Sequence, residues 1–311
     1  MNNTNKTFQK PVMQLLLITM LCIFFAVVFS LIATLLVVLL FGFNMQSFSD
    51  YSNPNVIEGL KFFQLVSAIG VFVLPPFVYG IIVTKKPLTA LSLNKGSLPI
   101  NWLMVLVLMI VATPFISWLV EFNQQLVLPE FLAPLERWMK QSEQRAEVLT
   151  KLFLTFNGVG SFLYILLIVA IIPAFGEELL FRGAVQKILV KSFKNYHVAI
   201  WLTAILFSAL HMQFFGFLPR MLLGALFGYI FYWSGSLWLP ILGHFLNNGS
   251  VVILSFLYPE MINNTEVTLF EGEMNVIAAL LSGILTIVLM IIIQRINAKK
   301  TFELPSNGYS T

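Results

Sequence analysis

The chain has 311 residues, of which 58% are hydrophobic and only 10% are charged, whereas soluble domains carry about 25% charged residues. This composition excludes a soluble globular protein and an intrinsically disordered one. The net charge of +4 is small and dispersed, so we expect no nucleic-acid partner. The single cysteine, Cys22, excludes a disulfide framework and a thiolate metal cluster.

Long apolar runs predict an all-α, polytopic integral membrane protein with about eight transmembrane helices. A helix needs roughly 20 apolar residues to cross the bilayer core, and these runs are too long for barrel strands. We place the spans near residues 12–42, 60–83, 99–121, 161–181, 197–215, 219–234, 237–258 and 275–295. The sixth run is short. The first resembles a signal peptide but is too long for one, which predicts a retained anchor.

The distribution of Lys and Arg between these runs predicts the orientation of the chain, because cytoplasmic loops carry the excess of cations. Eleven cations fall on alternate connections: Lys6, Lys10, Lys85, Lys86, Lys95, Lys187, Lys191, Lys194, Arg295, Lys299 and Lys300. The opposite side holds Lys61, Arg220, four cations of the 122–160 loop, and a purely acidic loop before the last span. Both termini are therefore expected to be cytoplasmic.

The 122–160 loop is the one sizeable polar segment, and we expect it to be external. Pro134 suits the first turn of a helix. Apolar residues then recur at helical spacing, and the pairs Glu136/Lys140 and Glu147/Lys151 are four residues apart. The pattern predicts an amphipathic helix on the outer membrane surface. It is compatible with a plain connector and with an element that gates substrate.

Ionisable side chains inside apolar spans cost about 2.5 kcal/mol or more, so by default they mark a functional site. The fourth span ends in a segment that contains Glu177, Glu178 and Arg182. Glu178 and Arg182 are four residues apart and can pair on one helix face. Glu177 points about 100° away and is left without that partner.

Two of the three histidines also lie in apolar spans: His211 in the fifth and His244 in the seventh, where Asn248 shares its helix face. A carboxylate, two imidazoles and an amide from three helices would equip a cavity for water-activated hydrolysis, and peptide hydrolysis fits that set. The alternative is a structural network in which the histidines only pack helices. The combination of all these groups favours hydrolysis.

Three segments carry a resemblance to a known family: Glu177-Glu178-x-x-x-Arg182, Phe207-x-x-x-His211 and His244-x-x-x-Asn248. They resemble the signature of the CPBP family, which comprises CAAX proteases and bacteriocin-processing enzymes and is also called the Abi family. The resemblance covers roughly residues 160–255. It implies one membrane domain, 1–311, with its catalytic core at 160–255, acting as a type II CAAX prenyl endopeptidase on peptide or protein substrates. The prokaryotic plasma membrane is the expected location.

The resemblance also implies roles for the charged residues and the histidine of the first two segments. Glu177 would activate a water molecule together with His211. Glu178 and Arg182 would shape the helix that carries the first segment.

His244 and Asn248 would stabilise the oxyanion or hold a metal, since the family is described as metalloproteases and has also been argued to be glutamate-dependent. Glu177, His211 and His244 could form an open zinc site. The chain has no His-Glu-x-x-His run, however, and these ligands would come from separate helices. We favour water activated by Glu and His, and leave zinc as the possible cofactor.

Two functions of other classes remain open. Intramembrane Glu and His could relay protons in a transporter, or the chain could be a non-catalytic scaffold or immunity protein. Inverted repeats would favour transport, but the charged segments all lie in the second half of the chain.

Overall fold

The computed structural model describes residues 10–42, 51–260 and 276–298. Within those ranges the architecture is entirely helical, and seven helices are long and apolar enough to cross a membrane. An eighth apolar helix is shorter. The expectation of an all-α polytopic integral membrane protein is therefore confirmed.

Nine helices of 15 or more residues organise the described ranges. They are α1 (Pro11–Phe41), α2 (Pro54–Thr84), α3 (Pro99–Gln124), α4 (Ala133–Phe153), α5 (Val159–Phe193), α6 (Tyr196–Leu210), α7 (Phe217–Ser234), α8 (Trp238–Leu257) and α9 (Val276–Asn297). Single helical turns cover Pro87–Ala90, Glu130–Leu132 and Phe214–Gly216. Helix α4 is the predicted amphipathic helix, and the other eight correspond to the predicted spans.

Local sequence signals explain where several helices begin and end. Pro11, Pro54 and Pro99 occupy first positions of helices, where a missing N–H costs nothing. The side chain of Asn195 accepts a hydrogen bond from the N–H of His197 and so caps α6. Helix α7 ends at Gly235, whose φ of 67° suits a residue without a Cβ.

The predicted lengths of three spans need correction. The sixth was expected to be short, but Phe214–Ser234 forms a continuous apolar segment of 21 residues. The fifth span is the short one, because α6 has only 15 residues and covers about 22 Å. Helix α5 extends 12 residues past the predicted end at 181, because Arg182 finds its partners inside the protein.

Helix α5 is irregular where it carries the first segment of the resemblance. It contains two π-helical stretches, Leu166–Ile171 and Leu179–Gln186, a departure from α-helical geometry that is frequent at functional sites. Between them, Gly176 lies against α2, and a Cβ at this position would be 2.8 Å from Cβ of Phe72. The small residue therefore permits the close packing that holds Glu177 at a fixed depth.

Helices α5 and α7 are joined by two parallel hydrogen bonds. Arg182 Nη2 donates to the carbonyl of Gly224 at 2.9 Å, and Gln186 Nε2 donates to the carbonyl of Gly228 at 3.0 Å. Donors one turn apart on α5 thus meet acceptors one turn apart on α7. The two glycines form a small-xxx-small pattern of the kind that lets membrane helices approach closely.

Hydrogen bonds bring several connections together at one end of the helix bundle. Lys187 Nζ donates to the carbonyl of Ala90 at 2.6 Å, and Ser236 Oγ donates to the carbonyl of Lys95 at 2.7 Å. Asn101, at the start of α3, exchanges hydrogen bonds with Asn297, at the end of α9. The 84–98 segment, the end of α5, the α7–α8 turn and the end of α9 therefore share one side of the bundle.

The opposite end gathers the 122–160 loop and the α6–α7 turn. The rings of Trp138 and Phe214 are 5.2 Å apart, and Asn123 Nδ2 donates to the carbonyl of Phe214 at 2.9 Å. Glu143 accepts a hydrogen bond from the N–H of Phe215. The predicted ion pairs of α4, Glu136/Lys140 and Glu147/Lys151, are present as well, each at 2.7 Å.

These contacts support a topology experiment. Reporter fusions are expected to place residues 1–10, 84–98, 186–196 and 296–311 in the cytoplasm and residues 122–160 and 259–274 outside, because cations mark the cytoplasmic side. Residues 1–9, 261–275 and 299–311 lie outside the described ranges, so fusions there test the prediction independently of the contacts. A cytoplasmic signal from the acidic loop would contradict the assigned orientation.

Candidate active site

A carboxylate shared by two partners lies beneath the candidate site. Glu178 Oε1 accepts a hydrogen bond from Arg182 Nη1 at 2.7 Å, which is the pair expected from the four-residue spacing. The same oxygen lies 2.9 Å from His244 Nδ1 on α8. Because a carboxylate only accepts, Nδ1 carries the hydrogen and Nε2 of His244 presents its lone pair. Glu178 thus orients His244, a contact that the sequence did not predict.

Arg182 is completely buried and contacts groups on three helices. Its guanidinium lies 4.8 Å from the ring centre of Phe207 and 5.7 Å from that of Phe227. With the bonds to Glu178 and the carbonyl of Gly224, this links α5, α6 and α7. The side chain joins these helices and lies behind the residues that line the cavity.

Glu177 occupies a different face, as predicted. Its Oε2 atom is 3.8 Å from Nε2 of both His211 and His244. This oxygen is buried and has no hydrogen-bond partner among the described residues. The carboxylate of Glu177 and the imidazoles of His211 and His244 therefore converge on one point.

The hydrogen bond of His211 determines which of its ring nitrogens presents a lone pair to that point. His211 Nδ1 lies 2.7 Å from the carbonyl of Phe207, so Nδ1 donates and Nε2 again presents a lone pair. Glu177 Oε2 and the two Nε2 atoms are then three acceptors that face one another with no donor between them. Such a group calls for a water molecule, a shared proton or a cation.

The amides of α8 lie beside this group. Asn248 Nδ2 donates to the carbonyl of Val169 in the first π-helical stretch of α5 at 3.2 Å, which leaves its second N–H available. Asn247 Nδ2 donates to Asn248 Oδ1 at 3.1 Å. Asn247 therefore holds the orientation of Asn248, and both side chains line the same cavity.

That cavity has a volume of about 490 Å³ and is lined by residues of α3, α4, α5, α6, α7 and α8. Four of the six candidate residues line it: Glu177, His211, His244 and Asn248. Apolar side chains such as Ile116, Leu223 and Val251 form much of the remaining wall. Glu178 and Arg182 are buried behind the lining, where they support it.

The possible zinc ligands lie farther apart than ligands of one zinc ion. Ligands of one tetrahedral zinc ion lie about 3.3 Å apart, whereas Glu177 Oε2 is 3.8 Å from each Nε2 atom. No group of three His, Cys, Asp or Glu side chains in residues 10–42, 51–260 and 276–298 is arranged to hold a metal ion. Glu177 and the two histidines would have to move about 0.5 Å closer together to share one zinc ion.

Two charged residues near the cavity were missed from the sequence. Arg220, which was counted only as an external cation, lines the cavity beside Gln213. Its position next to Pro219, among apolar residues at the start of α7, was the available signal. Glu143 of α4 is close by, and burial raises the pKa of its carboxyl, while the N–H of Phe215 and the charge of Arg220 act in the opposite direction.

Comparisons with known proteins agree with the three segments. Residues 159–250 match the Rce1-like family, described as type II CAAX prenyl endopeptidase Rce1-like, which confirms the resemblance. The chain is also 28% identical over 85 residues to the uncharacterized protein YpbD of Bacillus subtilis (strain 168). This alignment covers 26% of the chain and 40% of that relative, so it spans less than half of either protein. No solved structure matches the chain.

Proposed function

Because residues 159–250 carry an Rce1-like domain within an integral membrane protein, we propose that the chain is an intramembrane endopeptidase whose hydrolytic water is activated by Glu177 and His211. The observation that carries the proposal is the unpartnered Oε2 of Glu177, which faces two imidazole lone pairs in a cavity. A water molecule can donate to the carboxylate and to one Nε2 atom at once. Its oxygen is then positioned to attack a peptide carbonyl.

In the proposed reaction, Glu177 accepts a proton from water as the water oxygen bonds to the carbonyl carbon. The second N–H of Asn248 donates to the developing oxyanion. Glu178, bonded to Nδ1, holds the His244 ring in place beside the reacting water. Glu177, aided by His211, then delivers the proton to the amide nitrogen, the C–N bond breaks, and an acid and an amine are released.

The surroundings of the site suit a substrate that is associated with the bilayer. The cavity wall combines these polar groups with apolar side chains. An apolar or lipid-bearing segment near the C-terminus of a peptide could therefore move from the membrane into the cavity without exposing its apolar surface to water. We accordingly propose membrane-associated or C-terminal peptide segments as the substrate class.

Removal of metal tests the mechanism. Cleavage of an internally quenched prenylated peptide by the full chain in detergent is expected to change less than about twofold after chelation, because the proposed water activation uses only protein groups. The Glu177→Gln variant, prepared identically, controls for contaminating proteases. Loss of activity on chelation, with recovery on adding zinc, would contradict the mechanism and indicate a metalloprotease.

A further inference from the structure

The cavity contains one cation that the proposed reaction does not use. Arg220, in the first turn of α7, lines the cavity together with Glu177 and His211. Its guanidinium is anchored by Gln213: Nη1 donates to the Gln213 carbonyl at 3.2 Å, and Nη2 donates to Gln213 Oε1 at 2.7 Å. Two of its five N–H groups are thus used, and three remain to be satisfied.

No carboxylate of the described chain pairs with this guanidinium. The ion pairs within 4.0 Å in the described ranges involve Lys61, Lys140, Lys151, Arg182, His211 and His244 on the cationic side. Glu143 and Glu177 interact with Arg220 electrostatically from farther away. Glu143 also accepts the N–H of Phe215. A partly buried cation without a paired anion is costly, and an anionic ligand would offset that cost.

The guanidinium is held in a fixed position. Gly216 lies directly against it, and a Cβ built on this residue would be only 3.1 Å from Nη2. Gln213 fixes the same end of the side chain from the preceding turn. The planar fork of an arginine recognises a carboxylate through two parallel hydrogen bonds, so a fixed and unpaired guanidinium is suited to bind one.

We propose that Arg220 binds a carboxylate of the peptide substrate and determines specificity by fixing where the peptide lies relative to Glu177. This inference rests on the proposed function. The carboxylate can be the C-terminal α-carboxylate or the side chain of an Asp or Glu, since both present the same group. In either case the distance from Arg220 to the activated water would set which peptide bond is cut.

Binding measurements on the full chain test the proposal without requiring cleavage. The Glu177→Gln protein in detergent is titrated against three fluorescent apolar hexapeptides: a free acid, its C-terminal amide, and an amide that contains one Glu. Fluorescence anisotropy reports the Kd of each. The free acid, the Glu-containing amide or both are expected to bind about tenfold to a hundredfold more tightly than the plain amide. Tighter binding of the free acid identifies the C-terminal carboxylate as the ligand, and tighter binding of the Glu-containing amide identifies the side-chain carboxylate.

Substitutions then assign this preference to Arg220. Arg220→Gln is expected to remove the preference for an anionic peptide, and Arg220→Lys to retain part of it. Gly216→Ala, which displaces the guanidinium without removing its charge, is expected to weaken it. Arg137→Gln, which removes an exposed cation of α4, is the matched control and should leave the preference intact.

Equal binding of all three peptides by the parent protein, or an unchanged preference after Arg220→Gln, would overturn the proposal. The Glu177→Gln protein with Arg220 intact supplies the first result even if an Arg220 variant does not fold. Cleavage by the unsubstituted chain is assayed separately. Anion preference without cleavage would refute the proposed function alone, whereas cleavage without anion preference would refute only the role of Arg220.

Discussion

Replacing Glu177 with Gln is expected to lower peptide cleavage by about a thousandfold or more, with little change in melting temperature. The substitution preserves shape and removes only the basic group. Glu177 Oε2 has no hydrogen-bond partner among the described residues, so its loss breaks no bond that stabilises the fold. A positioned general base contributes about 10²–10⁴-fold, and loss of the activated water adds to this.

Matched variants separate the chemistry from general effects of charge. Glu147→Gln, on the exposed part of α4, should leave cleavage unchanged. His211→Ala and His244→Ala should each abolish cleavage, and combining either with Glu177→Gln should add little, because groups that act as one unit fail together. Initial rates and melting curves measure both properties. Near-normal cleavage by the Glu177→Gln protein would refute its role as the base.

The helices were predictable from the sequence because lipid imposes a simple rule on it. Each predicted span has a helical counterpart, since apolar length alone decides whether a helix can cross the bilayer. The errors arose where tertiary contacts alter that rule. Helix α5 continues through Arg182 because α7 offers it a carbonyl, and α6 is short because the chain turns at His211 into the cavity wall.

In the candidate site, too, contacts within one helix were predictable and contacts between helices were not. The pairing of Glu178 with Arg182 follows from helix periodicity, and the structure contains it. The bond from His244 to Glu178 joins α8 to α5, so it depends on how two helices are rotated against each other. Periodicity within one helix carries no information about that rotation. The same holds for Arg220, whose position in the cavity depends on the turn that precedes α7.

Arg182→Ala is expected to lower stability and activity together. The side chain is fully buried and compensates the charge of Glu178, which is also fully buried. Removing one partner of such a pair typically costs about 3–5 kcal/mol, because the other charge is left uncompensated. The substitution also breaks the bond to the carbonyl of Gly224 and so loosens α5 from α7. A large fall in melting temperature in detergent is the expected measurement.

The origin of that loss can be tested by removing the stranded charge. The double variant Glu178→Gln/Arg182→Gln should melt at a higher temperature than Arg182→Ala, and also higher than the matched single variant Arg182→Gln. A glutamine at 178 keeps an oxygen that can accept the His244 Nδ1 hydrogen, so the imidazole retains a partner while the buried negative charge disappears. If the double variant melts no higher than Arg182→Gln, the stability lost on removing Arg182 comes from the contacts with α7 and the flanking phenylalanines. If Arg182→Ala is stable but inactive while Glu177→Gln is unstable, the structural and chemical roles assigned to the two glutamates are reversed.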